Sequence, residues 1–394
     1  MRGGTTRGVF FHASELPADP ARRDAILLAV VGGSDPRQVD GLGGGDLLLS
    51  KVALVWPSER PDAEVECRFG SITPGTARVK YGSNCGNLSS AVACFARQEG
   101  LVAPDPECVR IYNADSGTSM EARWRGWDVP LRTRMASTSG MPVSGELVEL
   151  TFLSPAATAT GRLLPTGRAV DCLRLPDGRR VQASIVDAGA LYVFLRPGDV
   201  GLPAAATSDQ LRSDGRLSAL CEDLRGQAAV LAGLVSSAAD ALAHTPAVPK
   251  LSFVRPPEGY RTEGAGVAVE AGEVDLVGRI VSSQSFHKAY AVTGAIATAA
   301  AAAVPGSVVA AVMGGESAAG ARCVRIGHPS GIIECTLDTA RSGSEITIER
   351  ATVLRTARRI MEGRCYFEED DALPPAAPIR TATAPSRHLE EAAG

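Results

Sequence analysis

The sequence predicts an α+β protein built from two similar halves, each with strands around one central apolar helix. Three observations lead to this fold class. The chain has 394 residues, which suggests two domains of about 150–200 residues each. Strand-like segments recur along both halves. Each half also contains one apolar helical segment rich in small residues, Leu88–Gln98 in the first and Tyr290–Val304 in the second, and such a helix is normally surrounded on all sides.

The predicted domain boundaries follow from this repeated pattern. The first half covers residues 1–180, the second covers 181–372, and a Pro- and Ala-rich tail covers 373–394. The composition of the tail is typical of a loose, unpacked segment. Because a cleft between two similar halves is a common place for a ligand, we expect the functional site there.

In the first half, spacing and capping residues predict two helices. Pro20–Val31 is stopped by the glycines that follow it, and Leu88–Gln98 is followed by Gly100 as a C-terminal cap. The predicted strands are Gly8–Phe11, Lys51–Trp56, Ala63–Phe69, Val109–Tyr112 and Leu147–Phe152.

The second half repeats this order of elements. Besides Tyr290–Val304, a helix is predicted over Ser208–Leu234, and Thr352–Met361 is either the end of a strand or a short basic helix. The charge-free stretch Ala289–Gly315 is interpreted as a buried helix, a Pro-Gly turn and a strand, not as a membrane span. The predicted strands are Gln182–Val186, Leu191–Leu195, Leu251–Val254, Val308–Val312, Cys323–Ile326, Ile332–Leu337 and Glu345–Glu349.

Composition excludes several functional classes. The net charge of −4 argues against a nucleic-acid-binding protein, which is usually basic. The first residues show no apolar segment behind a basic start, so we expect no secretory leader. The nine cysteines form no Cys-x-x-Cys pair and no zinc spacing, which favours free thiols in the reducing cytoplasm. The glycine-rich residues 41–46 match neither a P-loop nor a dinucleotide fingerprint.

Cys85 is the first candidate for chemistry. It lies in the motif Asn84-Cys85-Gly86-Asn87, just before the first apolar helix. The free N–H groups and partial positive charge of a helix start favour a thiolate, and they can hold a carboxylate or a developing oxyanion. Gly86 permits close approach of a ligand to the backbone. The alternative is a buried, inert cysteine in an Asn-Gly turn, and the local sequence leaves both open.

Lys51 is the second candidate. Only four of the 40 basic residues are lysines, namely Lys51, Lys80, Lys250 and Lys288. Lysine, unlike arginine, loses its proton near neutral pH when it is desolvated. Because Lys51 comes shortly after three leucines, we expect it to be partly buried and able to act as a base. The alternative is a solvated lysine at the start of a strand.

Three further stretches have the composition of anion-binding segments. Residues 2–8 offer flexible backbone amides, two hydroxyls and two guanidinium groups, residues 285–288 precede the second apolar helix, and residues 328–331 form a turn between strands. Each alone is more often a turn with solvated charges, but carboxylate substrates need several such donors in one cleft. The candidate substrate-binding residues are Arg2, Gly3, Gly4, Thr5, Thr6, Ser50, Asn84, Gly86, Asn87, His287, Lys288, His328, Ser330 and Gly331.

The candidate residues favour one reaction type over another. A two-base racemase would require an acid/base thiol in each half, and the start of the second apolar helix has His287 and Lys288 but no cysteine. A pair made of Lys51 and Cys85, both from the first half, fits a 1,3-proton shift on an allylic system better.

These motifs resemble the PrpF-type family of methylaconitate isomerases, whose relatives include methylitaconate isomerase, oxalomesaconate tautomerase and aconitate isomerase. The likeness covers nearly the whole chain, so the ordered set of matches is specific. Two segments depart from the family pattern, Thr6-Arg7 and residues 46–49 before Ser50-Lys51. The matching motifs are MRGGTTRGVFF at the start, residues 38–44, Ser50-Lys51, Asn84–Asn87, Asp187–Gly189, His287–Tyr290, His328–Gly331 and Arg355–Arg359.

The resemblance implies a fold, an activity and a mechanism. The fold is diaminopimelate-epimerase-like, with two duplicated halves, each a curled, mostly antiparallel sheet around a central helix and with the site between them. The family's acid/base lysine and cysteine correspond to Lys51 and Cys85. The implied substrate is a small unsaturated di- or tricarboxylate such as methylaconitate or aconitate, and no metal or cofactor is needed. A homodimer is compatible with the fold, and neither nucleic acid nor a membrane is an expected partner.

Several alternatives stay open at this point. An oxalomesaconate-type tautomerase would use the same chemistry, and a true epimerase is disfavoured by the missing second thiol. A non-catalytic carboxylate-binding protein on the same fold is disfavoured by the presence of both Lys51 and Cys85. Which of these two residues is the base and which the acid is not decided by the sequence.

Overall fold

The computed structural model describes residues 1–82, 84–126, 144–203, 206–282, 284–314, 322–343 and 345–367. The predicted tail over 373–394 lies outside the described residues. None of the helices in these ranges combines the length and the apolarity that a membrane crossing requires.

Among the described residues, the first half contains two α-helices and eight strands. Helix α1 (Pro20–Val31) begins at Pro20 because the Asp19 side chain accepts from the Arg22 N–H, and it ends at Gly32, whose φ is +75°. Helix α2 covers Gly86–Gln98. The strands are β1 (Arg2–Gly3), β2 (Thr6–His12), β3 (Lys51–Pro57), β4 (Val65–Ile72), β5 (Val79–Lys80), β6 (Val109–Asn113), β7 (Thr118–Arg125) and β8 (Glu146–Leu153).

The second half contains eleven strands and five α-helices among the residues described, and it begins with the strand Asp171–Arg174, which precedes the predicted boundary but pairs with the strand Arg180–Ala188. The helices are α3 (Ser208–Ser213), α4 (Gly215–Leu231), α5 (Ala241–His244), α6 (Val292–Ala303) and α7 (Val308–Val312). The strands are β9 (Asp171–Arg174), β10 (Arg180–Ala188), β11 (Ala190–Leu195), β12 (Lys250–Arg255), β13 (Tyr260–Arg261), β14 (Ala268–Val269), β15 (Leu276–Ser282), β16 (Ser285–Phe286), β17 (Arg322–His328), β18 (Gly331–Ser342) and β19 (Glu345–Arg358).

Strand pairing shows that the two halves have the same topology. In the first half, β2 pairs parallel with β3, β3 antiparallel with β4, and β4 both antiparallel with β5 and parallel with β6. In the second half, β11, β12, β15, β16 and β17 repeat these pairings in the same order and direction. Helix α2 follows β5 as helix α6 follows β16. The α+β fold with two similar halves is therefore confirmed.

The two central helices, α2 and α6, are buried by their sheets. Gly86 to Ala96 of α2 and every residue of α6 are buried, because small side chains let strands approach the helix from all sides. Residues of both helices belong to one continuous apolar core. Strand β19 connects the halves, since it pairs with β18 of the second half and with β8 and β1 of the first.

Two predicted elements differ from the structure, and one choice that the sequence left open is resolved. Val308–Val312 is a short helix instead of the predicted strand, because Ser307 follows the Pro-Gly turn and its side chain accepts from the Ala310 N–H as an N-cap. The single helix predicted over Ser208–Leu234 is two helices, since Asp214 ends one and caps the next. The open choice at Thr352–Met361 is resolved as a strand that ends at Arg358.

We expect Gly86→Ala to lower the free energy of unfolding by about 1–3 kcal/mol, which is typical of overpacking. A Cβ at Gly86 would lie 2.5 Å from the Cβ of Val292, at the contact between α2 and α6. The higher helix propensity of alanine offsets at most about 1 kcal/mol of this. Urea-induced unfolding measures the change.

The matched control is Gly198→Ala, because an added Cβ there meets nothing within 4 Å. Its unfolding free energy should stay within about 0.5 kcal/mol of the wild type. A Gly86→Ala variant as stable as this control would contradict the close contact of the two helices.

Candidate active site

The starts of the two central helices face one cavity. Helix α2 begins after Cys85 and helix α6 after Ala291, and neither of these N-cap residues makes a side-chain hydrogen bond to the helix that follows. The first turn of an uncapped helix has free N–H groups and a partial positive charge. Gly86 and Val292 approach each other so closely that the two positive ends lie side by side. The arrangement attracts an anion.

The cavity has a volume of about 110 Å³, which is several times the space that one water molecule needs. It is lined from both halves, and no aspartate or glutamate occurs among the described lining residues. Three of the four lysines of the chain line it. The lining residues are Thr5, Thr6, Leu47, Leu48, Lys51, Ser71, Thr73, Lys80, Asn84, Cys85, Gly86, Asn87, Ala247, Lys250, Ser282, His287, Ala289, Tyr290, Ala291, Val292 and Thr293.

The three lysines differ in their contacts. Lys51, the first residue of β3, donates from Nζ to the Ser71 Oγ at 2.5 Å. Lys80, which is exposed, donates to the Thr73 Oγ1 at 3.5 Å. Lys250, the first residue of β12, lies with its Nζ 5.7 Å from the centre of the Tyr192 ring. No acidic side chain occurs among the described lining residues, although Asp46, outside the lining, acts on His287.

Burial and neighbouring charges change two protonation equilibria in the cavity. Burial, with a smaller contribution from the nearby Lys51 and opposed by Cys85, lowers the pKa of Lys250 from its usual value near 10.5 to about 8. Burial lowers the pKa of His287 to about 3, with contributions from Lys250 and Lys51. His287 is therefore neutral at physiological pH and adds no charge.

The structure places eight of the sequence-derived candidates around the cavity. Lys51 and Cys85, from the ends of β3 and α2, line it together, as the proposed acid/base pair requires. The others that line it are Thr5, Thr6, Asn84, Gly86, Asn87 and His287.

Arg2, Gly3 and Gly4 lie beside the cavity and pack against its wall. A Cβ at Gly3 would be 2.2 Å from the carbonyl oxygen of Asn87, and one at Gly4 would be 2.3 Å from the Asn87 Oδ1. The Asn87 side chain in turn donates to the Thr5 Oγ1 at 3.0 Å. Arg2 donates to the carbonyl oxygen and the Oγ1 of Thr356 on β19. These residues hold the start of α2 against the N-terminal strands.

Ser50 also lies outside the cavity lining. Its buried hydroxyl donates to the Gln38 Oε1 at 2.6 Å and to the Asp46 carbonyl oxygen at 2.7 Å. These bonds fix the loop that brings Leu47 and Leu48 to the cavity. Ser50 therefore shapes the apolar part of the wall.

The remaining candidates lie behind the cavity wall in the second half. His328 is buried and stacks on Tyr290 with ring centroids 6.3 Å apart, and its Nδ1 accepts from the Ser330 N–H. Ser330 donates to the Lys288 carbonyl oxygen, and the Gly331 carbonyl oxygen accepts from the Tyr260 hydroxyl. The Lys288 side chain forms an ion pair with Asp209 at 3.1 Å, away from the cavity. These four residues support the wall that carries Tyr290.

The sequence reasoning missed Lys250, Lys80, Ser71 and Tyr290. A signal for Lys250 was present, since lysine is rare in this chain and Lys250 immediately precedes an apolar strand, as Lys51 does. Tyr290 gave no comparable signal in the sequence. In the structure its hydroxyl lies inside the protein, hydrogen-bonded to Ser252 and Thr298 at 2.6 and 2.8 Å. Within the described ranges, no three His, Cys, Asp or Glu side chains are grouped closely enough to hold a metal ion.

The chain is similar to several known isomerases over nearly its full length. The sequence model of the family described as "PrpF protein" matches residues 1–368. The 3-methylitaconate isomerase of Eubacterium barkeri is 36% identical over 377 residues, covering 94% of this chain and 96% of the relative. The 2-methyl-aconitate isomerase of Shewanella oneidensis is 35% identical, with 92% and 94% covered. The (4E)-oxalomesaconate Delta-isomerase of a Novosphingobium species is also 35% identical, with 92% and 95% covered.

A crystal structure of methylitaconate-delta-isomerase is similar in fold. It superposes with a TM-score of 0.70 at 33% sequence identity, covering 95% of this chain and 96% of the other. The common fold therefore includes both halves.

We expect His328→Asn to reduce the loss of stability on acidification by about 1 kcal/mol between pH 7 and about pH 5.5. Burial, followed by Arg355, lowers the pKa of His328 from its usual 6.5 to about 3. Between these values the unfolded chain binds the proton and the folded chain does not, so stability falls as the pH drops below 6.5. Asparagine keeps an acceptor for the Ser330 N–H but cannot titrate.

Urea unfolding of both proteins at the two pH values measures this difference. The quantity compared is the change with pH, not the absolute stability, so any packing defect of the variant cancels. An equal pH dependence in both proteins would show that His328 is protonated inside the folded protein.

Proposed function

The chain belongs to the PrpF family, and on that premise we propose that it is an isomerase that catalyses a 1,3-proton shift on a small unsaturated di- or tricarboxylate. Methylitaconate, methylaconitate and oxalomesaconate appear in the names of its relatives and define the class of substrate. The reaction moves a double bond along the carbon chain and needs one base and one acid.

The observation that carries the proposal is the position of Lys51 and Cys85 on one cavity. Lys51 lies at the start of β3, and Cys85 lies at the start of α2. Among the described residues no ion pair engages Lys51, whose Nζ donates to the neutral hydroxyl of Ser71. A lysine side chain acts as a general base once its ammonium group has lost a proton.

The proposed reaction begins when Lys51, as the neutral amine, takes a proton from the saturated carbon next to the alkene. The electron pair of that C–H bond forms the new double bond, and the old one shifts toward the adjacent carboxylate, giving a dienolate. The far carbon then receives a proton from the Cys85 thiol or from the Lys51 ammonium. One C–H bond breaks and one forms, so no electrons are gained or lost.

The negative charge of the dienolate is the main barrier to this reaction. It collects on carboxylate oxygens, which the free N–H groups at the starts of α2 and α6 can stabilise. Lys51, Lys80 and Lys250 line the same cavity and add positive charge to it. The alkyl side chains of Leu47, Leu48 and Val292 exclude water from the reacting carbons.

A cytoplasmic location is part of the proposal. The nine cysteines all lie among the described residues and form no disulfide there, and proteins of oxidising compartments commonly pair such residues.

We expect Lys51→Met to lower the rate of isomerisation by at least about 10²-fold, the usual contribution of a positioned general base. The measurement is proton NMR in D₂O with cis- and trans-aconitate, methylaconitate, methylitaconate and oxalomesaconate. Wild-type enzyme should wash deuterium into one acid while its double bond shifts. Cys85→Ser should slow the same reaction.

Cys172→Ser is the matched control for Cys85→Ser, because Cys172 is an exposed free thiol outside the cavity. It should leave the rate unchanged. Deuterium exchange that persists in Lys51→Met would contradict the assignment of the base. No exchange on any of these acids by wild-type enzyme, at concentrations close to that of the substrate, would contradict the isomerase itself.

A further inference from the structure

The second half repeats the position of Lys51. Lys51 is the first residue of β3, which pairs parallel with β2 and antiparallel with β4, where Ser71 lies opposite Lys51. Lys250 is the first residue of β12, which pairs parallel with β11 and antiparallel with β15. Extending this register by one residue places Ser282 opposite Lys250. The two Lys-Ser pairs are thus topological equivalents, and all four residues line the cavity.

The two lysines have different surroundings despite this equivalence. The Lys51 Nζ donates to Ser71, whereas among the described residues the Lys250 Nζ makes no hydrogen bond or ion pair and only approaches the Tyr192 ring. The helix next to Lys51 begins at Cys85, and the equivalent position before α6 is Ala291. Lys250 therefore has no thiol partner in its own half.

Lys250 is a partly buried cation with no carboxylate beside it among the described lining residues. The described lining of the cavity contains no carboxylate, and the pKa of Lys250 is lowered to about 8 by burial and by Lys51. An anion that enters the cavity stabilises the charged form of Lys250, because it places a negative charge between the two lysines. A bound carboxylate supplies that charge.

We propose that Lys250 is a catalytic residue that binds the substrate carboxylate on which the dienolate charge collects, opposite the base Lys51. In this arrangement each half of the molecule contributes one lysine with a different task. Lys51 exchanges the proton with carbon. Lys250 keeps its protons throughout and donates hydrogen bonds to the carboxylate oxygens, so no bond to it is made or broken.

This assignment rests on the proposed isomerase function and is tested with Lys250→Met and Lys250→Arg. Methionine keeps the length of the stem but removes the charge, and arginine keeps the charge without being able to act as a base. We expect Lys250→Met to lower kcat/KM by about 10²–10³-fold, as for the loss of an oxyanion donor, with most of the loss in kcat. Lys250→Arg should recover at least about ten-fold of it, since a cation again meets the carboxylate.

Arg255→Met is the matched control, because it removes a cation from the other end of the same strand, where Arg255 pairs with Glu258 outside the cavity. Its kcat/KM should stay close to the wild-type value, and circular dichroism should show the same fold for all variants. Wild-type kinetics in Lys250→Met would overturn the proposal. The proposal would also be overturned if Lys250→Arg were as inactive as Lys250→Met, because the positive charge at this position would then not determine kcat/KM.

A binding experiment separates this proposal from the proposed function. Propane-1,2,3-tricarboxylate has no double bond to move, so calorimetric titration measures its affinity alone. We expect Lys250→Met to bind it at least about ten-fold more weakly than wild type, as loss of a charge-assisted hydrogen bond does. If wild-type enzyme isomerises none of the acids, the isomerase proposal fails and this titration still decides the role of Lys250. The role proposed for Lys250 would be overturned if wild type and Lys250→Met bound this tricarboxylate with equal affinity, or if neither bound it.

Discussion

The contact between the positive ends of two buried helices is the constraint on which the rest of the molecule depends. Gly86 of α2 lies so close to Val292 of α6 that no side chain fits at Gly86. Neither helix start is capped by its own N-cap side chain, and like ends of two helix dipoles repel each other. The electrostatic potential at the junction of the two halves is therefore positive and favours a bound anion. Packing of apolar surface elsewhere must offset the repulsion and keep the two helix ends together.

That packing comes from elements distant in sequence. The glycines at positions 3 and 4 bring the N-terminal strands onto the backbone of α2, where any larger residue would collide with Asn87. Strand β19 then lies beside β1 and β8 of the first half and β18 of the second. Since residues of both central helices share one apolar core, the cavity between them is held by the same burial that stabilises the chain. A ligand that neutralises the cavity adds to this stability by mass action.

Local sequence determined much of this architecture, and tertiary context determined the rest. Helix α1 was predicted with its observed bounds, because a cap, a proline and a left-handed glycine define it locally. Val308–Val312 was predicted as a strand from its valines, but the cap at Ser307 makes it a helix. Lys51 and Cys85 were found because each lies in a distinctive motif. Lys250 has no such motif around it, and the scarcity of lysine and the apolar strand that follows it are its sequence signals. Strand register then places it opposite Ser282, as Lys51 lies opposite Ser71.

The duplicated topology also explains how one cavity can serve an asymmetric reaction. Two equivalent halves would present identical groups to the two faces of a substrate, which suits inversion at one carbon. Here the equivalent positions have diverged, with Cys85 at one helix start and Ala291 at the other, while a lysine remains in both halves. A 1,3-shift needs proton exchange near one group and charge stabilisation at another. Ala291 offers no thiol for proton transfer at the helix start of the second half, and Lys250 supplies a cation there.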